Sequence, residues 1–180
     1  MTNDQCPMSL WSWPRRTPPA DAFAKRGTVG HWSLDIGSFP GGTMYEIFEH
    51  TADVGLRIRA PNVTQLFVEA GEALFSLMVE NLDVVRPRQE VFIDIEADRW
   101  DELFHDWLSE LLYIFHADHL VLVEFNVGVQ SDGLTGTVRG EPIDPQRHKF
   151  GPEVKAITYH GLKVEQQQPN QWLAEVIVDV

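Results

Sequence analysis

Only two stretches of this 180-residue chain carry an apolar stripe at helical spacing, and most of the surrounding sequence alternates. The first stripe is Leu66, Phe67, Ala70, Ala73, Leu74, Leu77 and Met78, with Thr64 as its expected N-cap. The second is Leu103, Phe104, Trp107, Leu108, Leu111, Leu112 and Phe115. Its helix is expected to start at Asp98, with Asp101 three residues on as an acidic cap. Period-two or β-branched runs cover residues 45–50, 54–60, 90–98, 120–130, 133–141, 154–159, 162–168 and 172–179. Asp132-Gly133 and Pro169-Asn170 read as turns. Two helices are too few to supply crossovers for so many strands, so most strand pairs should be antiparallel. The expected fold class is α+β, a two-layer domain. Its mostly antiparallel or mixed sheet has about seven strands, and both amphipathic helices lie on one face.

Residues 1–43 differ from the rest. They hold five prolines and five glycines, and no periodicity survives there for more than a few residues. Arg15, Arg16, Lys25 and Arg26 face Asp4, Asp21 and Asp35, a net charge of +1, which leaves −14 on residues 44–180. The expected organisation is an N-terminal extension over 1–43 and a domain over 44–180. The extension reads as loosely held. Trp11, Trp13 and Trp32 leave open an aromatic docking arm, and Met44 leaves open a later translation start. The whole chain carries −13, with 14 Lys and Arg against 27 Asp and Glu. A chain this acidic is poorly suited to gripping a phosphate backbone, so no direct nucleic-acid binding is expected. The longest apolar run, 111–115, is far short of a membrane span. Cys6 is the only cysteine, which rules out an intrachain disulfide. The first residues lack the pattern of a secretory signal, and the expected location is cytoplasmic.

The common nucleotide, zinc-protease and serine-hydrolase motifs are absent. Several constellations remain. His50-Thr51-Ala52-Asp53 lies between the first two strands, as a hydrogen-bonded turn or as a carboxylate held for a cation. The apolar ending Trp172-Leu173-Ala174-Glu175-Val176-Ile177-Val178-Asp179-Val180 puts the Asp179 side chain close to the terminal carboxylate. Two anions in apolar surroundings repel, and either a cation or a neighbouring lysine relieves the cost. Oxygen-only ligands favour Mg²⁺ or Ca²⁺ over zinc. Lys155 stands between apolar neighbours, as an edge-protecting charge or as the counter-charge of an acidic site. Glu141, Asp144 and His148 fall in a loop read as solvated. His116 and His119 end the second helix and read as caps rather than metal ligands.

In order, these pieces resemble the archease family. The opening is Tyr45-Glu46-Ile47-Phe48-Glu49-His50-Thr51-Ala52-Asp53-Val54-Gly55. Asp106-Trp107-Leu108-Ser109-Glu110-Leu111-Leu112-Tyr113 resembles its second helix. Gly140-Glu141, Asp144 and His148 follow, then Glu153-Val154-Lys155-Ala156-Ile157-Thr158-Tyr159-His160 and the ending at Asp179-Val180. The resemblance covers 44–180. Residues 1–43 depart from it, and Val180 stands where isoleucine is common.

The resemblance implies an accessory factor of RtcB-type RNA ligases, in tRNA splicing or RNA repair. Such a factor promotes guanylation and repeated turnover of the ligase and is not itself an enzyme. By the same resemblance Asp53, Asp179 and Val180 are metal ligands for Ca²⁺ or Mg²⁺. Activation depends on Lys155, with His50 and His160 as further partner contacts. Read from the residues alone, two other functions stay open: a small divalent-metal-dependent hydrolase, and a general chaperone or RNA-processing modulator.

Overall fold

The computed structural model describes residues 44–50 and 53–180. The expectations for residues 1–43 lie outside the described residues. The elements run β1 (Met44–His50), β2 (Asp53–Ala60), α1 (Val63–Met78), β3 (Gln89–Glu96), α2 (Trp100–Ala117), β4 (Leu120–Gln130), β5 (Gly133–Pro142), β6 (Ala156–Gln168) and β7 (Gln171–Asp179). Every named strand pair is antiparallel, as two helices among seven strands require. The expected single layer of strands is divided into two sheets, of order β1-β2-β7-β6 and β3-β5-β4. Alternation marks which residues face inward, but it does not say which strands pair.

Both helices face inward as their stripes dictate. Leu66, Phe67, Ala70, Leu74, Leu103, Phe104, Trp107, Leu108 and Leu111 are fully or almost fully buried. Leu56, Ile58, Val176 and Val178 meet them from the first sheet, and Val121, Leu134 and Val138 from the second. Helix α1 packs on β2 and also on β4, while α2 packs chiefly on β6, so the helix pair touches both sheets. Trp107 donates its indole N–H to the Phe67 carbonyl at 2.9 Å, which satisfies the one polar atom of that buried ring and ties α2 to α1.

Local chemistry corrects three sequence expectations. Asn62, not Thr64, caps α1: its side chain accepts from the Gln65 amide at 2.8 Å. Helix α2 begins at Trp100 with Arg99 as N-cap, and Arg99 pairs with Asp101, which holds the Asp101 carboxyl below its usual range. The strands expected over 154–159 and 162–168 are one strand, β6, whose register shifts between Thr158 and Lys163. Gly161 supplies the left-handed backbone there, at φ 65°. The expected turn at Pro169-Asn170 closes β6 onto β7, with Asn170 at φ 64°.

Candidate functional site

The strand β7 lies inside the four-stranded sheet, between β2 and β6. This interior position explains why the last strand is apolar. Val54 pairs with Val178 at the end of the β2–β7 register, and Asp53 and Asp179 are the next residues of the two strands. Val54 and Val178 pack toward the helices, so alternation turns Asp53 and Asp179 to the opposite face. Both residues are half-buried. Among the described residues, neither carboxylate side chain takes a hydrogen bond or an ion pair.

Lys155 and Val180 complete this end of the sheet. The Lys155 amide donates to the Asp179 carbonyl at 2.8 Å, and Lys155 Nζ donates to a terminal oxygen of Val180 at 2.9 Å. The Val180 side chain packs against the core. His50 takes the register position opposite Asp53. The structure thus brings Asp53, Asp179, Val180 and Lys155 together and sets His50 beside them in register. His160 lies two residues beyond Thr158, the last paired residue before the register shift in β6, and is exposed.

His116 contributes something the sequence did not signal. Its Nε2 stands 2.8 Å from the Val154 carbonyl, so α2 holds the residue before Lys155 rather than only capping itself. Val154 is fully buried. Lys155 is therefore fixed from two sides, by α2 through Val154 and by β7 through Asp179.

The expectation of a solvated loop around Glu141 is corrected. Glu141 is 2% exposed and His148 3%. Arg147 reaches Glu141 Oε1 at 2.9 Å, the Arg86 amide donates to it at 3.1 Å, and His148 Nε2 lies 3.3 Å away. The Asp144 amide donates to His148 Nδ1, so the neutral ring carries its proton on Nε2 and donates it to Glu141. The Arg147 guanidinium, helped by the Arg86 amide and His148, holds the Glu141 carboxyl down at about 2. A buried charge survives only when it is paired, and the arginines and histidine near Glu141 in the sequence were the available signal.

A further acidic cleft of about 700 Å³ is lined by Glu96, Asp98, Glu102, Asp106, Asp132 and Tyr159. Tyr159 stacks on His105 with ring centroids 3.9 Å apart. Burial and the nearby Asp106, Glu102 and Asp101 raise its phenol above the usual value. Among the described residues, no three His, Cys, Asp or Glu side chains form a metal cluster. The tip offers a different donor set: two side-chain carboxylates and the chain terminus. Among the described residues, no helix is long and apolar enough to cross a membrane.

Among the described residues, the fold is a small α+β arrangement of two α-helices and two antiparallel sheets, with β7 inside the four-stranded sheet. The Archease protein family (MTH1598/TM1083) profile matches residues 45–180, and the chain belongs to the archease family. It is 43% identical over 140 residues to protein archease of Methanopyrus kandleri, covering 76% of this chain and 99% of that one. It is 36% identical over 140 residues to protein archease of Pyrococcus furiosus, covering 76% and 98%. The solution structure of Methanobacterium thermoautotrophicum protein 1598 matches with a TM-score of 0.67 at 31% identity, covering 76% of this chain and 98% of that one.

Proposed function

We propose that this chain is an accessory factor that activates an RtcB-type RNA ligase, promoting its guanylation and repeated turnover in tRNA splicing or RNA repair. The observation that carries this reading is the end of the four-stranded sheet. There Asp53 and Asp179 follow the last paired residues of β2 and β7, their side chains without partners among the described residues, and Lys155 Nζ donates to the Val180 main-chain oxygen. Uncompensated carboxylates at an anchored sheet end are suited to an external cation or to a basic partner surface.

The donors fit a hard divalent cation, because all of them are oxygens and two sit on adjacent, packed strands. Asp53, Asp179 and the Val180 carboxylate would hold Ca²⁺ or Mg²⁺, which supplies a concentrated positive charge for drawing anionic oxygens together. Packed strands hold the donors in place, and Val154 and Asp179 fix the backbone of Lys155. His50 and His160 would add contacts to the ligase. The net charge of −13 favours fast approach to a basic ligase cleft and disfavours direct RNA binding. The protein is then an activator rather than an enzyme, acting in the cytoplasm where RNA ends are joined.

The test is to mix the full chain with an RtcB-type ligase, GTP and a divalent metal, and to measure ligase–guanylate formation. Guanylation should rise with added chain. An active cognate ligase whose guanylation is unmoved would contradict the reading.

A further inference from the structure

The start of β6 is only lightly joined to its own sheet. β6 is an edge strand, and only Ala156, Ile157 and Thr158 pair with β7 before the register shifts. Pairing resumes at Lys163, beyond the left-handed Gly161. Helix α2 secures this short stretch from the other side. His105 and His116 are eleven residues apart on α2, about three turns, so they share a face. His116 Nε2 stands 2.8 Å from the Val154 carbonyl, and His105 Nε2 stands 3.2 Å from the Ile157 carbonyl. Lys155 lies between the two holds.

His105 also has an oxygen acceptor at its other ring nitrogen: Nδ1 lies 3.1 Å from Asp106 Oδ1. A neutral imidazole carries one N–H and turns its other lone pair on an oxygen, whereas the imidazolium donates to both. The charges around the ring favour the imidazolium. On α2 these are Asp101, Glu102 and Asp106, and Glu96, Asp98 and Asp132 line the same cleft. From β6 the Tyr159 phenol stacks on the ring. The nearby cations are engaged elsewhere, Arg99 with Asp101 and Lys155 with the Val180 main-chain oxygen.

We propose that residues 154–160 form a strap whose hold on α2 depends on a proton, with His105 as the latch. At low pH the His105 imidazolium bonds Asp106 and the Ile157 carbonyl together. At high pH one proton remains, and the Asp106 carboxylate, the stronger acceptor, takes it. The bond to Ile157 is then lost and the strap loosens. His116 holds Val154 in either charge state, because one N–H suffices for one carbonyl. The strap carries Lys155 and Tyr159, so loosening it moves a charge and an exposed ring together. The device rests on the fold and not on the ligase reading.

The experiment follows amide hydrogen exchange by NMR in the full 180-residue chain, from pH about 5.5 to about 8, where histidines change charge. Exchange is corrected for its intrinsic pH dependence. The reporter is the Lys155 amide, which donates to the Asp179 carbonyl. The buried Leu111 of α2 reports global stability. Lys155 protection in wild type should fall about fivefold as pH rises, the worth of one hydrogen bond, while Leu111 stays level. His105→Gln should show no such fall. Asp106→Asn should stay protected at high pH, because a neutral amide lets the ring keep its proton on Nε2. His119→Asn, at an exposed position beyond the end of α2, should behave as wild type.

Level protection at Lys155 in wild type overturns the latch. So does a fall that persists in His105→Gln or in Asp106→Asn, one that disappears in His119→Asn, or an equal fall at Leu111.

Discussion

Glu141 and Asp179 both stand near the end of a strand, yet their surroundings differ. Glu141, in β5, is enclosed by Arg147, His148 and the Arg86 amide, with the Arg88 guanidinium at 3.8 Å. The Asp179 side chain, in β7, takes no hydrogen bond or ion pair among the described residues, and nearby Lys155 Nζ donates to the Val180 main-chain oxygen. A carboxylate saturated with donors is architecture: it locks residues 144–148 onto the segment that follows α1. Carboxylates left short of donors on a rigid edge are available to something outside the chain. Burial and partner count, rather than the presence of acidic residues, separate the two roles.

The contrast should show most sharply in activation. On the proposed role of the tip, Asp179→Asn should lower stimulation of an RtcB-type ligase by about 100-fold. It should leave the thermal midpoint within about 2 °C of wild type, since no partner is lost. Parallel guanylation and melting curves would check both halves. Glu141→Ala should do the reverse, costing about 3 kcal/mol because its arginine and histidine lose their partner. Urea unfolding would measure it, and stimulation should persist below the melting point.

Acid should separate the sites as well. The Glu141 carboxyl sits near 2 when folded, below its ordinary 4.5, so the unfolded chain takes up its proton first. The stability it contributes is complete above about 4.5 and is lost as pH falls toward about 2. Glu141→Gln should remove this part of the acid sensitivity, as unfolding midpoints across that range would show. The smallest effect belongs to the link between helix and tip. His116→Ala should cost about 1 kcal/mol by removing one hydrogen bond to Val154, and His116→Gln, which keeps a donor, should recover part of it by urea unfolding.

Much of this fold was legible because periodicity reports burial. The stripes at Leu66–Met78 spacing and at Leu103–Phe115 spacing mark the helix faces that meet the core. The apolar run at 172–178 marked a strand, and its place between β2 and β6 accounts for that composition. The division into two sheets was not legible, since pairing partners depend on long-range register. Asn62 outcompeted Thr64 as cap because cap geometry depends on backbone dihedrals. At the site, the sequence placed Lys155 as an edge-protecting charge or a counter-charge, and its Nζ donates to the Val180 main-chain oxygen at 2.9 Å. The burial of Glu141 and the hold of His116 on Val154 were hidden, because both depend on which distant segments meet.

The central claim is that the Asp53 and Asp179 tip drives ligase turnover. Its most direct test is ligated RNA per ligase molecule over several turnovers, with GTP and a divalent metal, in the presence of wild-type chain or Asp53→Asn. Wild type should carry the ligase past a single turnover, and folded Asp53→Asn should leave it as slow as ligase alone. Equal turnover with both proteins would contradict the account.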